Sequence, residues 1–93
     1  MTVASPRVLD AQRPWRLSPE VSLRDESFGA LAYHHGNRRL VFLKSRDLVA
    51  VVRALESHSS AAEAIAAHVP AEQHARYERA LASLVPSEII RER

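Results

Sequence analysis

The chain contains no cysteine, so neither a disulfide nor a thiolate metal site can staple it. Glycine is almost as scarce. With Gly29 and Gly36 as the two glycines, there is no glycine-rich phosphate cradle, and no serine sits in a Gly-x-Ser-x-Gly elbow. No apolar stretch approaches the roughly 20 residues that a bilayer span requires. The opening Met1-Thr2-Val3-Ala4-Ser5-Pro6-Arg7 lacks the apolar core of a signal peptide. These absences predict a soluble, cytoplasmic protein with no membrane partner. Lysine occurs once, at Lys44, among thirteen basic residues, and eleven acidic residues oppose them. That surplus is too small to specify a polyanion. Arg13, Arg16, Arg24, Arg38, Arg39, Arg53, Arg76 and Arg79 are interleaved with Asp25, Glu56, Glu63, Glu72 and Glu78, as on an ordinary solvated surface. No nucleic-acid partner is expected from this pattern.

What is present is a chain of 93 residues, 46% hydrophobic, enough for one domain around one core. Residues 1–13 are polar, show no period and end before Pro14, which predicts a mobile arm. The domain is expected over residues 14–86, with residues 87–93 as a tail. Trp15 and Leu17, then Val21 and Leu23, alternate with Arg16, Ser18, Ser22 and Arg24, the period of half-buried extended chain, around a turn at Ser18-Pro19-Glu20. Ala30 to Tyr33 and Leu40 to Leu43 follow. Gly36-Asn37 lies between them and accepts positive φ, so the pair predicts a β-hairpin. After Lys44 the spacing becomes i, i+3, i+4, i+7 three times: Leu48-Val51-Val52-Leu55, Ala62-Ile65-Ala66-Val69 and Tyr77-Ala80-Leu81-Leu84. Ser45 is placed to cap the first helix, Ser60-Ala61-Ala62-Glu63 reads as a capping box, and Pro70 stops the second helix. The predicted class is α+β: a three-stranded antiparallel sheet followed by three helices that cover its apolar face.

Catalytic chemistry finds little support. His34 and His35 are neighbours and point to opposite sides of an extended chain. His58, His68 and His74 stand ten and six residues apart, neither of which brings two imidazoles to one helical face. Asp25 and Glu26 read as exposed turn residues rather than a general acid and base. No catalytic residue, metal site or cofactor is expected.

Two features ask for a partner. Leu40-Val41-Phe42-Leu43 is apolar at four consecutive positions, so it places hydrophobic side chains on both faces of the sheet, and something must cover the second. If this strand also lies at an edge, its free N–H and C=O groups form a template for another chain. Coverage by the N-terminal segment or by a second copy accounts for the run almost as well. The second feature is the last helix, where Arg76, Arg79 and Ser83 flank its apolar stripe. Small Ala80 and Ser83 leave room for a shallow groove, and the arginines suit ligand carboxylates. A solvated helix face accounts for the arginines equally well.

Strands first and helices second, with a hairpin feeding the first helix, is the element order of the PqqD-like peptide-recognition domains used in making ribosomally synthesised, modified peptides. The resemblance runs from Trp15 to Leu84. It is carried by Trp15-Arg16-Leu17-Ser18-Pro19-Glu20-Val21, Gly29-Ala30-Leu31-Ala32-Tyr33 and Arg39-Leu40-Val41-Phe42-Leu43-Lys44-Ser45. Within that family, Trp15-Arg16-Leu17 with Val21-Ser22-Leu23-Arg24, and Tyr33-His34-His35-Gly36-Asn37-Arg38-Arg39-Leu40, are similar to the peptide chaperones of mycofactocin biosynthesis. The resemblance implies a winged helix-turn-helix fold without catalysis of its own. It also implies a precursor-peptide leader as ligand and a radical SAM maturase as second partner. Carried over by position, it implies a leader strand against Arg39, Leu40, Val41, Phe42, Leu43 and Lys44, packed on Arg76, Arg79, Ala80, Ser83 and Leu84. The turn after the first helix departs from the family, with Glu56-Ser57-His58 where glycine is common. Ile89-Ile90, past Pro86, either caps the core or touches the partner enzyme. A proline at Val41 is expected to weaken peptide binding if its N–H faces outward, and to damage the fold if it faces inward. The competing assignment is a DNA-binding winged helix, whose affinity would fall steeply with salt.

Overall fold

The computed structural model describes residues 9–93. The three expected strands are present as β2 (Val21–Glu26), β3 (Gly29–His34) and β4 (Leu40–Leu43), joined antiparallel in the order β2-β3-β4. β1 (Trp15–Leu17) stands apart and pairs antiparallel with β5 (Ile90–Glu92). The helices are α1 (Arg46–Ala54), α2 (Ala61–His68) and α3 (His74–Ala82). The result is an α+β fold compatible with a winged helix-turn-helix.

α1 and α2 start where their cap chemistry dictates, whereas α3 follows the 3-10 turn Ala71–Gln73 with no side-chain cap. Ser45 Oγ accepts the Leu48 N–H at 3.0 Å and so opens α1. Ser60 Oγ accepts the Glu63 N–H at 3.1 Å, but the return half of the capping box is shifted by one residue. The Glu63 carboxylate bonds the N–H and hydroxyl of Ser59 rather than the N–H of Ser60. The next two donors of α2, Ala61 N–H and Ala62 N–H, reach the carbonyls of Arg13 (3.1 Å) and Ala11 (2.8 Å). The N-terminal arm predicted over residues 1–13 therefore divides. Residues 1–8 lie outside the described residues, while residues 9–13 are tied to the start of α2, and Leu9 and Ala11 pack against the core. A one-turn 3-10 helix, Leu55–Ser57, leads out of α1, and His58 is extended (φ −121°). The turn thus needs no glycine.

The core comprises Trp15, Ala30, Ala32 and Leu43 from the strands. The helices add Val51, Val52, Leu55, Ala64, Ile65, Tyr77 and Leu81. Two apolar residues join them from the expected tail: Ile89 and Ile90 are fully buried, and Ser18 N–H donates to the Ile89 carbonyl at 2.9 Å. Residues 90–92 thus close the domain as a strand, with Ile90 opposite Leu17. In α2 the buried face is Ala61, Ala64 and Ile65, rotated from the predicted stripe so that Ala66 is exposed.

The β3–β4 hairpin also turns differently from expectation. The positive φ falls on Arg38 (65°) rather than on Gly36 or Asn37. The cause is local hydrogen bonding. His34 Nδ1 accepts the N–H groups of Gly36 (3.0 Å) and Asn37 (3.1 Å), and Asn37 Oδ1 accepts the Arg39 N–H (2.9 Å). Asn37 Nδ2 donates to the Ser87 carbonyl at 2.9 Å, anchoring the hairpin to the C-terminal segment. At the opposite end Gly29 adopts φ 152°, and a Cβ there would lie 2.0 Å from the Leu43 carbonyl oxygen.

Candidate functional site

β4 pairs with β3 on one side and with no strand on the other among the described residues. Its register sets Tyr33 opposite Leu40, Ala32 opposite Val41, Leu31 opposite Phe42 and Ala30 opposite Leu43. His34 N–H donates to the Arg39 carbonyl at 2.9 Å, which makes that pair hydrogen-bonded. Because hydrogen-bonded and non-hydrogen-bonded pairs alternate along an antiparallel ladder, Val41 and Leu43 turn their backbone groups toward β3. Leu40 and Phe42 turn theirs outward, one N–H and one C=O each, to a free edge. The Val41 N–H therefore faces inward, so the position offered as a probe of ligand binding reports on the fold.

The same parity divides the side chains. Val41 and Leu43 face the core, half-buried and fully buried respectively, with α1 packed over them. Leu40 and Phe42 face outward and remain 55% and 54% exposed. Phe42 packs on the ring of Phe28 (5.8 Å between centroids), and Leu31 and Tyr33 lie half-buried beside them. The second apolar face predicted from Leu40 to Leu43 is thus present and uncovered among the described residues.

Beside the C-terminal end of β4, α3 approaches. Lys44, Ser45, Leu48, Arg76, Tyr77 and Ala80 line a pocket of ≈ 150 Å³. Tyr77 comes near because its hydroxyl lies 3.2 Å from Ser45 Oγ, across the mouth of α1. The floor is apolar, from Leu48, Ala80 and the Tyr77 ring, and the rim carries two cations. Of the residues named from sequence, Lys44, Arg76 and Ala80 meet in this pocket. Leu40 and Phe42 form the open edge, while Arg39, Arg79 and Ser83 are exposed and do not line the pocket. Ser83 Oγ is turned onto the Ala80 carbonyl at 2.6 Å. Leu43 and Leu84 are buried in the core and do not line the pocket. Ser45, Leu48 and Tyr77 were not among the residues expected to line it. Their roles as cap and core stripe gave no sign that they also face a cleft.

The fold sorts charges that the sequence interleaves. Arg13, Arg16, Arg24 and Arg53 pair with Glu92, Glu56, Glu26 and Asp25. Arg39, Lys44, Arg76 and Arg79 pair with no carboxylate among the described residues. Among those residues no group of three or more His, Asp or Glu side chains is placed to hold a metal ion, and no helix is long and apolar enough to cross a membrane. Outward backbone groups without a strand partner among the described residues thus lie between an apolar shelf on one side and a cationic pocket on the other.

A family model described as the peptide chaperone MftB family matches residues 14–91. A peptide chaperone MftB of Mycolicibacterium smegmatis is 45% identical over 89 residues, covering 95% of this chain and 87% of that protein. One of Mycobacterium ulcerans is 46% identical over 82 residues, 87% of this chain and 75% of its own. A third, of Mycobacterium tuberculosis, is 53% identical over 49 residues, 53% of this chain and 45% of that protein. No solved structure matches the chain.

Proposed function

Since the chain belongs to the peptide chaperone MftB family, we propose that it captures the leader of a mycofactocin precursor peptide, of the MftA type, and presents it to a radical SAM maturase of the MftC type. It works in the cytoplasm and performs no catalysis itself. The leader adds as an antiparallel strand to β4 and packs against α3. The observation that carries this reading is the outward pair Leu40 and Phe42, whose four backbone groups have no ladder partner among the described residues, beside a cleft built by Lys44, Arg76 and Ala80. A strand laid there satisfies those groups. It sends alternate side chains into the cleft and onto the Leu40–Phe42 shelf.

Titrating the isotopically labelled chain with the synthetic precursor leader tests the proposal. Backbone amide shifts are expected at Leu40 to Lys44 and along Arg76 to Leu84. Shifts confined to His58 to Val69, with β4 silent, overturn it. Affinity that collapses with salt and shows no preference among peptides points instead to a polyanion ligand.

A further inference from the structure

Two of the cations without a carboxylate partner among the described residues share the small pocket that adjoins the end of β4 and α3. Lys44 and Arg76 stand on the rim of the cavity floored by Leu48, Tyr77 and Ala80. The Leu48 N–H is already taken by Ser45 Oγ, so what the pocket offers is side-chain cations rather than a nest of backbone amides. One carboxylate, accepting from both, suits that arrangement.

The strand parity then fixes where the carboxylate must lie on an added peptide. In an antiparallel partner the residues opposite Leu40 and Phe42 form the hydrogen-bonded pairs, and their side chains share the outer face with Leu40 and Phe42. The residues opposite Val41 and Leu43 point to the helix side. The one opposite Leu43 is next to Lys44 and enters the pocket. The two on the outer face lie beside side chains that are 55% and 54% exposed, where apolar groups bury the most surface.

We propose that this site selects an extended segment reading, from N- to C-terminus, acidic–apolar–any–apolar. The acidic side chain lies between Lys44 and Arg76, and the apolar pair covers Phe42 and then Leu40. The inference rests on antiparallel addition to β4 as proposed above, and goes beyond it by naming the sequence class that is read. A second copy of the chain fits the same edge poorly. The register that pairs most of β4 with itself through its outward groups sets Leu40 opposite Phe42, and in it Arg38 of one copy lies opposite Lys44 of the other.

The test is to pan a phage-displayed library of random dodecapeptides against the immobilised full chain. Recovered clones are expected to share Asp or Glu, then an apolar residue, then a variable position, then an apolar residue. The double variant Lys44→Glu, Arg76→Glu is expected to bind them roughly tenfold or more weakly, and to select Lys or Arg at the first position instead. Leu40→Pro and Phe42→Pro, each checked by circular dichroism, are expected to abolish binding. If either variant misfolds, amide shifts of Leu40 and Phe42 in the wild-type chain on adding a recovered peptide take its place. Clones with no acidic preference that still require the Leu40–Phe42 edge overturn the acidic motif and leave strand capture standing. Clones indifferent to that edge overturn both. Displacement of recovered peptides by millimolar inorganic phosphate or by an oligonucleotide, with no common peptide pattern, assigns the pocket to phosphate and also overturns the proposal.

Discussion

Ser45 Oγ lies 3.2 Å from the hydroxyl of Tyr77 while accepting the Leu48 N–H at 3.0 Å. One hydroxyl thus joins the end of β4, the start of α1 and the wall of α3, and so sets the width of the cleft. Tyr77→Phe keeps the ring and removes the bond. It is expected to cost about 0.5–1.5 kcal/mol in urea unfolding. Ser45→Ala is expected to cost about 1 kcal/mol more, because the cap is lost as well. In the Ser45→Ala background the Tyr77→Phe effect should vanish, since its partner is gone.

The alternation along β4 makes proline substitutions informative in opposite ways. Leu40→Pro and Phe42→Pro remove outward donors and should leave a cooperative thermal transition while weakening peptide binding. Val41→Pro removes an inward ladder donor and should destabilise the fold itself, by about 1–3 kcal/mol for the carbonyl left unpaired. Melting curves and binding isotherms on the three variants separate the effects.

Gly29 meets the Leu43 carbonyl where its own Cβ would stand, in a backbone conformation foreign to other residues. Gly29→Ala is expected to destabilise by at least about 1–3 kcal/mol from backbone strain. It should also broaden the amide signals of Leu43 and Lys44 before those of α2.

Ile90 is buried although it lies past Pro86 and close to the end of the chain. Ile90→Ala is expected to cost about 2–5 kcal/mol, measurable by chemical denaturation. A surface role for this residue would leave stability unchanged.

Glu63 is held below the usual carboxylate range, first by the hydrogen bond from the Ser59 side chain, then by that from its backbone N–H. A depressed folded-state value means that its contribution is complete above the ordinary carboxylate range and fades as pH falls through the depressed value. Glu63→Gln should therefore lower the melting temperature at about pH 7 and have a shrinking effect toward about pH 3.

Much of the architecture was legible in the chain because strong signals agreed with one another. Leu48, Val51, Val52 and Leu55 follow Ser45 at helical spacing, and the structure places α1 there with those four buried. The α2 face was not legible, since Ala61, Ala62, Ala64, Ala66 and Ala67 ring the helix and no stripe stands out. Nor was β5: three residues with two adjacent isoleucines display no period. The apolar run of β4 announced a two-faced strand, yet which of its N–H groups face outward depends on its register with β3. That register is fixed by Arg38 and the His34 Nδ1 bonds rather than by Gly36-Asn37. The cationic rim was hidden for a different reason. Lys44 and Arg76 are separated along the chain by Asp47, Glu56, Glu63 and Glu72, and folding leaves both without a carboxylate partner among the described residues.

The brevity of β4 bears on timing. With two outward residues, the edge supplies at most four ladder hydrogen bonds, each with a net value of about 0.5–1.5 kcal/mol. A longer edge would grip an extended guest for far longer, because added bonds act mainly on the rate of departure. If a leader adds to this edge as proposed, a four-residue strand is expected to keep its residence short, and a guest that leaves readily is one that can be passed on.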